Sequence, residues 1–143
     1  MTYDVAQLLK MTQTELDDLF KTSDSGPIPD GQADGTAIIA PGTVYSPEIA
    51  AVINYFAWQG KVFDSKAGYL KNRILPLGLN AIVAKVYKAP SWLDGKECIV
   101  LDYSETSLVA HWVRDEIRLI SPQLYLGLVY FDKTRLIDFA LKF

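Results

Sequence analysis

From Gly60 onward the chain is a procession of short apolar runs separated by turn signals: "DSKAG", "PLG", "APSWLDGK", "SETS", "SPQ" and "DKT". The gaps are too short for crossover helices, so consecutive strands must pair antiparallel. Strands are predicted over 61–64, 69–75, 80–88, 97–103, 108–120, 123–131 and 134–142, with an earlier one over 35–40, about eight in all. A meander of long strands leaves two unpaired edges unless it closes on itself, and closure gives each strand one inward and one outward face. The expected fold is therefore mainly β, an antiparallel barrel.

Two helices are predicted before the meander. In "MTQTELDDLF", Thr12 can cap the amide of Glu15 while Glu15 reaches back, and Met11 can staple onto Leu16, so a helix runs to about Lys21. In "SPEIAAVINYFAW", Ser46 is an N-cap, Pro47 sits at the first helical position, and Ile49, Val52, Ile53 and Phe56 form one stripe able to cover a barrel opening. Between them "TSDSGPIPDGQADG" reads as a surface connection. The 143 residues form a single expected domain, 1–143, with helices, loop and first strand in 1–59 and the meander in 60–143.

Composition excludes several functions. With 17 acids against 14 bases, a net charge of −3 and no basic run, a phosphate-backbone binder is not expected. One cysteine, Cys98, and one histidine, His111, exclude an internal disulfide and an ordinary zinc site, so no metal and no cofactor are expected. The opening residues lack the pattern of a signal peptide, and no apolar span is long enough for a membrane helix, so a cytoplasmic protein is expected.

Strand parity identifies the candidate site. In "VAHWVRDEIRLI", Val109, His111, Val113, Asp115, Ile117 and Leu119 share one face, opposite a face bearing Arg114, Glu116 and Arg118. The second face looks like a solvated ladder of ion pairs, which sends His111 and Asp115 inward. The same division places Leu70, Asn72 and Ile74 inward in "YLKNRIL", and Cys98, Val100 and Asp102 inward in "ECIVLDY". Asn72, Asp102, His111 and Asp115 thus form the expected inner polar set, the ligand-binding residues of the barrel. Ionisable groups on an apolar face are costly unless paired or met by a ligand. A single such residue is more often a satisfied core group, bonded to backbone at a strand end. Along one strand His111 and Asp115 are about 13 Å apart, so each needs a partner from elsewhere. Ser104, Thr106 and Ser107 lack the glycine frame of a nucleophile elbow. Gly127, inside "LYLGLVYF", marks a bend, a bulge or a close approach.

The segments "PDGQADGTAI", "WQGKVFD", "WLDGKECIVLDYS", "RDEIR" and "LYLGLVYF" together resemble small bacterial proteins of unknown function with a lipocalin-like, calycin-type barrel. The chain also looks like relatives in which a Gly-x-Trp-x-Gly segment precedes such a barrel; Gly31 and Gly35 are the matching glycines here, with no Trp between them, and Trp58, Gly60, Lys61 and Phe63 carry "W-x-G-K-x-F". The resemblance implies a barrel and a cavity, not a reaction. The expected function is binding of a small hydrophobic molecule. The alternatives are a cofactor-independent isomerase or hydratase using His111 with Asp115 or Asp102 as acid and base, and a structural homodimer without ligand. The sign of the His111 titration separates the first two, a lowered pKa fitting the binding protein.

Overall fold

The computed structural model describes residues 2–40, 46–47, 58–74, 79–105 and 112–143, giving the backbone path alone for 58–60, 72–74 and 79–82. Two helices, α1 (Val5–Leu8) and α2 (Gln13–Thr22), precede eight strands: β1 (Gly31–Ile38), β2 (Trp58–Asp64), β3 (Tyr69–Ile74), β4 (Leu79–Pro90), β5 (Glu97–Asp102), β6 (Val113–Ser121), β7 (Leu124–Phe131) and β8 (Thr134–Lys142). Each strand pairs antiparallel with the next, and β1 pairs with β8, so the sheet is a closed barrel. No helix among the described residues is long and apolar enough to cross a membrane.

The α2 start is the predicted one: the Thr12 side chain accepts from the Glu15 amide while Glu15 accepts from the Thr12 amide. A second reciprocal cap, Asp4 with Gln7, starts α1, which the sequence reading missed because one turn carries no periodic stripe. The helix predicted from Ser46 falls largely on residues outside those described. The stretch from Gly31 to Gly35, predicted as surface connection, is instead the first half of β1: Gly31, Gln32 and Ala33 pair with Phe63, Val62 and Lys61. Its glycines and aspartate hid a strand whose hydrogen bonds come from both neighbours.

Apolar side chains divide into two bodies. Ala33, Phe63, Leu70, Ala84, Ile99, Leu101, Tyr103, Val113, Ile117, Tyr125, Val129 and Phe139 fill the barrel. A second cluster lies outside the wall, where Leu8, Leu16 and Phe20 of the helices cover Cys98 and Val100 of β5, Leu124, Leu126 and Leu128 of β7 and Ala140 of β8. The two faces of β5 are therefore both apolar, and the inward one is Ile99, Leu101 and Tyr103. Cys98, Val100 and Asp102 point outward, which corrects the predicted parity of this strand.

The face of β6 bearing Arg114, Glu116 and Arg118 also departs from prediction. It points outward as expected, yet Glu116 and Arg118 are fully buried rather than solvated. The β4–β5 connection and the end of α2 lie over them. Arg118 makes a two-pronged pair with Asp94, both bonds 2.7 Å, and donates to the carbonyls of Phe20, Lys96 and Glu97. Glu116 accepts from the Ser91 hydroxyl at 2.6 Å and the Trp92 amide at 2.8 Å, and Arg114 bonds it from the other side.

One end of the barrel is closed by the chain itself. Residues 25–28 cross it, with Ile28 packed into the interior and the Tyr125 hydroxyl donating to the Pro27 carbonyl at 2.7 Å. Gly26 makes the crossing possible: its φ is +71°, and a Cβ there would lie 2.6 Å from that of Leu119. Phe143, with Phe63 and Tyr125 at ring separations of 5.5 and 5.6 Å, completes the plug.

Candidate functional site

Near the opposite end, the apolar interior is broken, among the described residues, by two fully buried charged residues, Lys61 and Asp115. Lys61 comes from the middle of β2, where it alternates with Phe63 on the inward face, and its backbone is paired with Ala33 on one side and Asn72 on the other. Asp115 comes from the start of β6, between Val113 and Ile117, opposite Leu101 of β5 and Val129 of β7. Tyr103, also fully buried, follows the last residue of β5. In an up-and-down barrel the end of β5 and the start of β6 lie at the same end, and the inward-facing Lys61, from the middle of β2, reaches both across the interior.

The Lys61 ammonium donates to the Tyr103 hydroxyl at 2.9 Å and lies 3.6 Å from Asp115 Oδ2. The second contact is an ion pair longer than a hydrogen bond, and neither oxygen of Asp115 accepts a hydrogen bond among the described residues. The rings of Tyr103 and Phe139 flank the ammonium at 5.6 and 5.8 Å. Burial raises the Asp115 pKa to about 6, the Lys61 charge and the Tyr103 hydroxyl acting against it. Burial lowers the Lys61 pKa to about 8, with Asp115 pulling it back. Two groups that ordinarily stay charged at pH 7 are thus poised on either side of it, which gives the site both a proton acceptor and a neutralisable amine.

Of the predicted inner set, Asp115 faces the interior. Asn72 has its backbone directly opposite Lys61 in the β2–β3 ladder. His111 lies outside the described residues. Asp102 does not belong to the interior: it points out of the wall, accepting from the Tyr87 hydroxyl at 2.6 Å and from the amide and hydroxyl of Ser104 at 2.9 and 2.6 Å. Burial pushes its pKa up, but these bonds outweigh it and the net shift is downward. It borders a cleft of about 220 Å³ on the outer wall, with Trp92, Trp112 and Arg114.

The sequence reading missed Lys61 and Tyr103. Lys61 was within reach, because in "KVFD" it shares parity with Phe63 against Asp64. Tyr103 was lost with the reversed parity of β5. The Cys98 thiol, held under the helices, is pushed up to about 12 by burial and is not a nucleophile at neutral pH. No cluster of metal-ligating side chains occurs among the described residues.

No protein-family model matches the chain, and no curated protein matches it. Among solved structures, the crystal structure of a protein from Thermomonospora curvata is similar, with a TM-score of 0.66 over 96% of this chain and 94% of that one at 14% sequence identity. At that identity the likeness is one of fold.

Proposed function

We propose that this barrel, of lipocalin-like type, binds a small, mostly apolar molecule through a single polar group seated at Lys61, Asp115 and Tyr103. The observation that carries the reading is the Asp115 carboxylate: fully buried, 3.6 Å from the Lys61 ammonium, with neither oxygen hydrogen-bonded among the described residues. A hydroxyl or protonated group on a ligand supplies the missing donor, and small-molecule sites ordinarily combine apolar walls with a few such anchors. The plug at residues 25–28 lies at the end of the barrel away from these three side chains. A cytoplasmic setting fits a lone cysteine kept buried.

A second reading, a cofactor-independent isomerase or hydratase, is favoured by one observation. Asp115 near 6 and Lys61 near 8 bracket neutral pH, the range in which acid–base catalysts work best. In this reading Asp115 is the acid or base, and Asp102, on the outer wall, has no part.

Titration with the neutral fluorophore N-phenyl-1-naphthylamine, followed by displacement with octanol or octane, tests the binding reading. Saturable one-to-one binding is expected, with octanol displacing the probe better than octane, and that preference disappearing in Asp115→Leu. Absence of saturable binding, or equal displacement in the parent protein, overturns it. Native mass spectrometry of freshly purified protein then identifies any carried molecule by mass.

A further inference from the structure

Lys61 is set apart from every other lysine of the chain, all of which are exposed or half-exposed. A lysine inside an apolar barrel costs stability, because removing a charge from water is expensive. Yet a methionine or leucine would fill the same volume without that cost. What an amine offers in such surroundings is a lone pair, because desolvation favours the neutral form. Its backbone neighbour across the β1–β2 ladder is Ala33, whose side chain adds only a methyl group to the interior beside it.

From this geometry we propose that Lys61 condenses reversibly with a small apolar aldehyde or ketone, holding it inside the barrel as a Schiff base. The proposal rests on the reading that the barrel admits an apolar molecule, and it names the carbonyl group as the polar end.

The step balances without any further reactant. The neutral amine attacks the carbonyl carbon; a carbon–nitrogen bond forms as the carbonyl π bond opens, and the oxygen takes up the proton released from nitrogen. In the resulting carbinolamine the hydroxyl leaves as water after protonation, and the nitrogen lone pair closes the double bond. Nothing is oxidised or reduced, and water returning to the imine reverses the sequence. Tyr103, whose hydroxyl is 2.9 Å from Nζ, is placed to hydrogen-bond the developing oxyanion. Asp115, 3.6 Å from Nζ, is placed to carry the proton from nitrogen to the departing hydroxyl. With a pKa of about 8, about a tenth of Lys61 is neutral at pH 7, far more than of an ordinary lysine near 10.4.

The test uses octanal with sodium cyanoborohydride, which fixes an imine as a secondary amine, followed by peptide mapping. Parallel displacement of N-phenyl-1-naphthylamine by octanal reports non-covalent occupancy. Alkylation at Lys61 is expected about tenfold or more faster than at any surface lysine, rising with pH through the titration of Lys61. Asp115→Asn, which keeps the amine, is expected to leave the label at Lys61 while slowing its formation. Probe displacement with label confined to surface lysines, or label at Lys61 no faster than theirs, overturns the Schiff base and leaves the binding reading standing. Neither probe binding nor label at Lys61 overturns both. Mapping the parent protein decides the matter even if a variant fails to fold.

Discussion

The far edge of the Phe139 ring occupies the place where a Cβ on Gly127 would sit. The two residues are cross-strand partners in the β7–β8 ladder, and both face the interior. A ring lying over a strand glycine protects backbone that would otherwise be under-packed. This is the close approach expected of a glycine within a long apolar strand.

Substitution Gly127→Val therefore displaces the Phe139 ring against the side chains packed around it. Overpacking of this kind is expected to destabilise by about 1–3 kcal/mol, read from the midpoint of urea unfolding. Pairing it with Phe139→Leu, which vacates the contested space, is expected to recover part of the loss. Additive effects of the two changes would show that the contact is not shared.

The Lys61–Asp115 pair sets an unusual pH profile. Asp115, raised from 3.8 to about 6, binds its proton more tightly in the folded state, so its contribution falls as pH rises from about 4 through 6. Lys61, lowered from 10.5 to about 8, releases its proton earlier when folded, so its contribution increases as pH rises from about 8 towards 10.5. The two together place a shallow minimum between 6 and 8. In Lys61→Met with Asp115→Leu that minimum is expected to vanish, with stability at pH 7 equal to the parent or higher by about 1–4 kcal/mol. Lys61→Met alone, leaving the carboxylate unpaired, is expected to lose about 3–5 kcal/mol at pH 7 and to regain stability on acidification. Chemical denaturation at a series of pH values measures both.

Arg118 tests the opposite sign. Its side-chain bonds hold the Asp94 carboxyl down at about 2, so the pair stabilises above the ordinary carboxylate pKa and weakens as pH falls through 2. Arg118→Met also strands the Phe20, Lys96 and Glu97 carbonyls that the guanidinium now satisfies. A loss of about 3–5 kcal/mol is expected, together with a flatter acid limb and faster amide exchange at the end of α2.

The β7–β8 hairpin turns on Asp132 and Lys133, with φ of +47° and +69°. Both central residues of such a turn need positive φ, and aspartate followed by glycine is the favoured pair. Lys133→Gly is expected to raise stability by about 0.5–1 kcal/mol, because removing the side-chain strain outweighs the added freedom of the unfolded chain. A lowered melting temperature would contradict the assigned turn.

The meander was legible because its turns are written plainly: five of the eight strands, β3, β4, β5, β7 and β8, begin at or beside a cluster such as "DSKAG" or "DKT". Facing was legible only where one side of a strand is wet. On β5 the contrast is absent, since Cys98 and Val100 lie under the helices while Ile99 and Leu101 lie inside. Asp102, just beyond that cover, then looked like an interior anchor. On β6 charge was taken for exposure, but the carbonyls and the carboxylate that bury Arg118 come from residues 21, 22, 24 and 98 positions away in sequence, where no local pattern reveals them. Lys61 shows the reverse case, a charge on an otherwise apolar face whose parity alone pointed inward.

The helices and the β4–β5 connection jacket one side of the wall, so that outward residues of β5 to β8 such as Val100, Glu116, Arg118 and Leu126 are buried. On β2 to β4 the described outward residues, among them Asp64, Tyr69, Lys71 and Tyr87, meet solvent. Backbone amides on the jacketed side can exchange with solvent deuterium only when both apolar bodies come apart. Those on the thin side need lose only the inner one, so they exchange through smaller and more frequent openings. Lys61 is mounted on that thin side, on the staves of the barrel expected to loosen first, and Asp115 on the reinforced ones. Opening of the thin side is therefore expected to lengthen the 3.6 Å between Lys61 and Asp115 before the jacketed strands part.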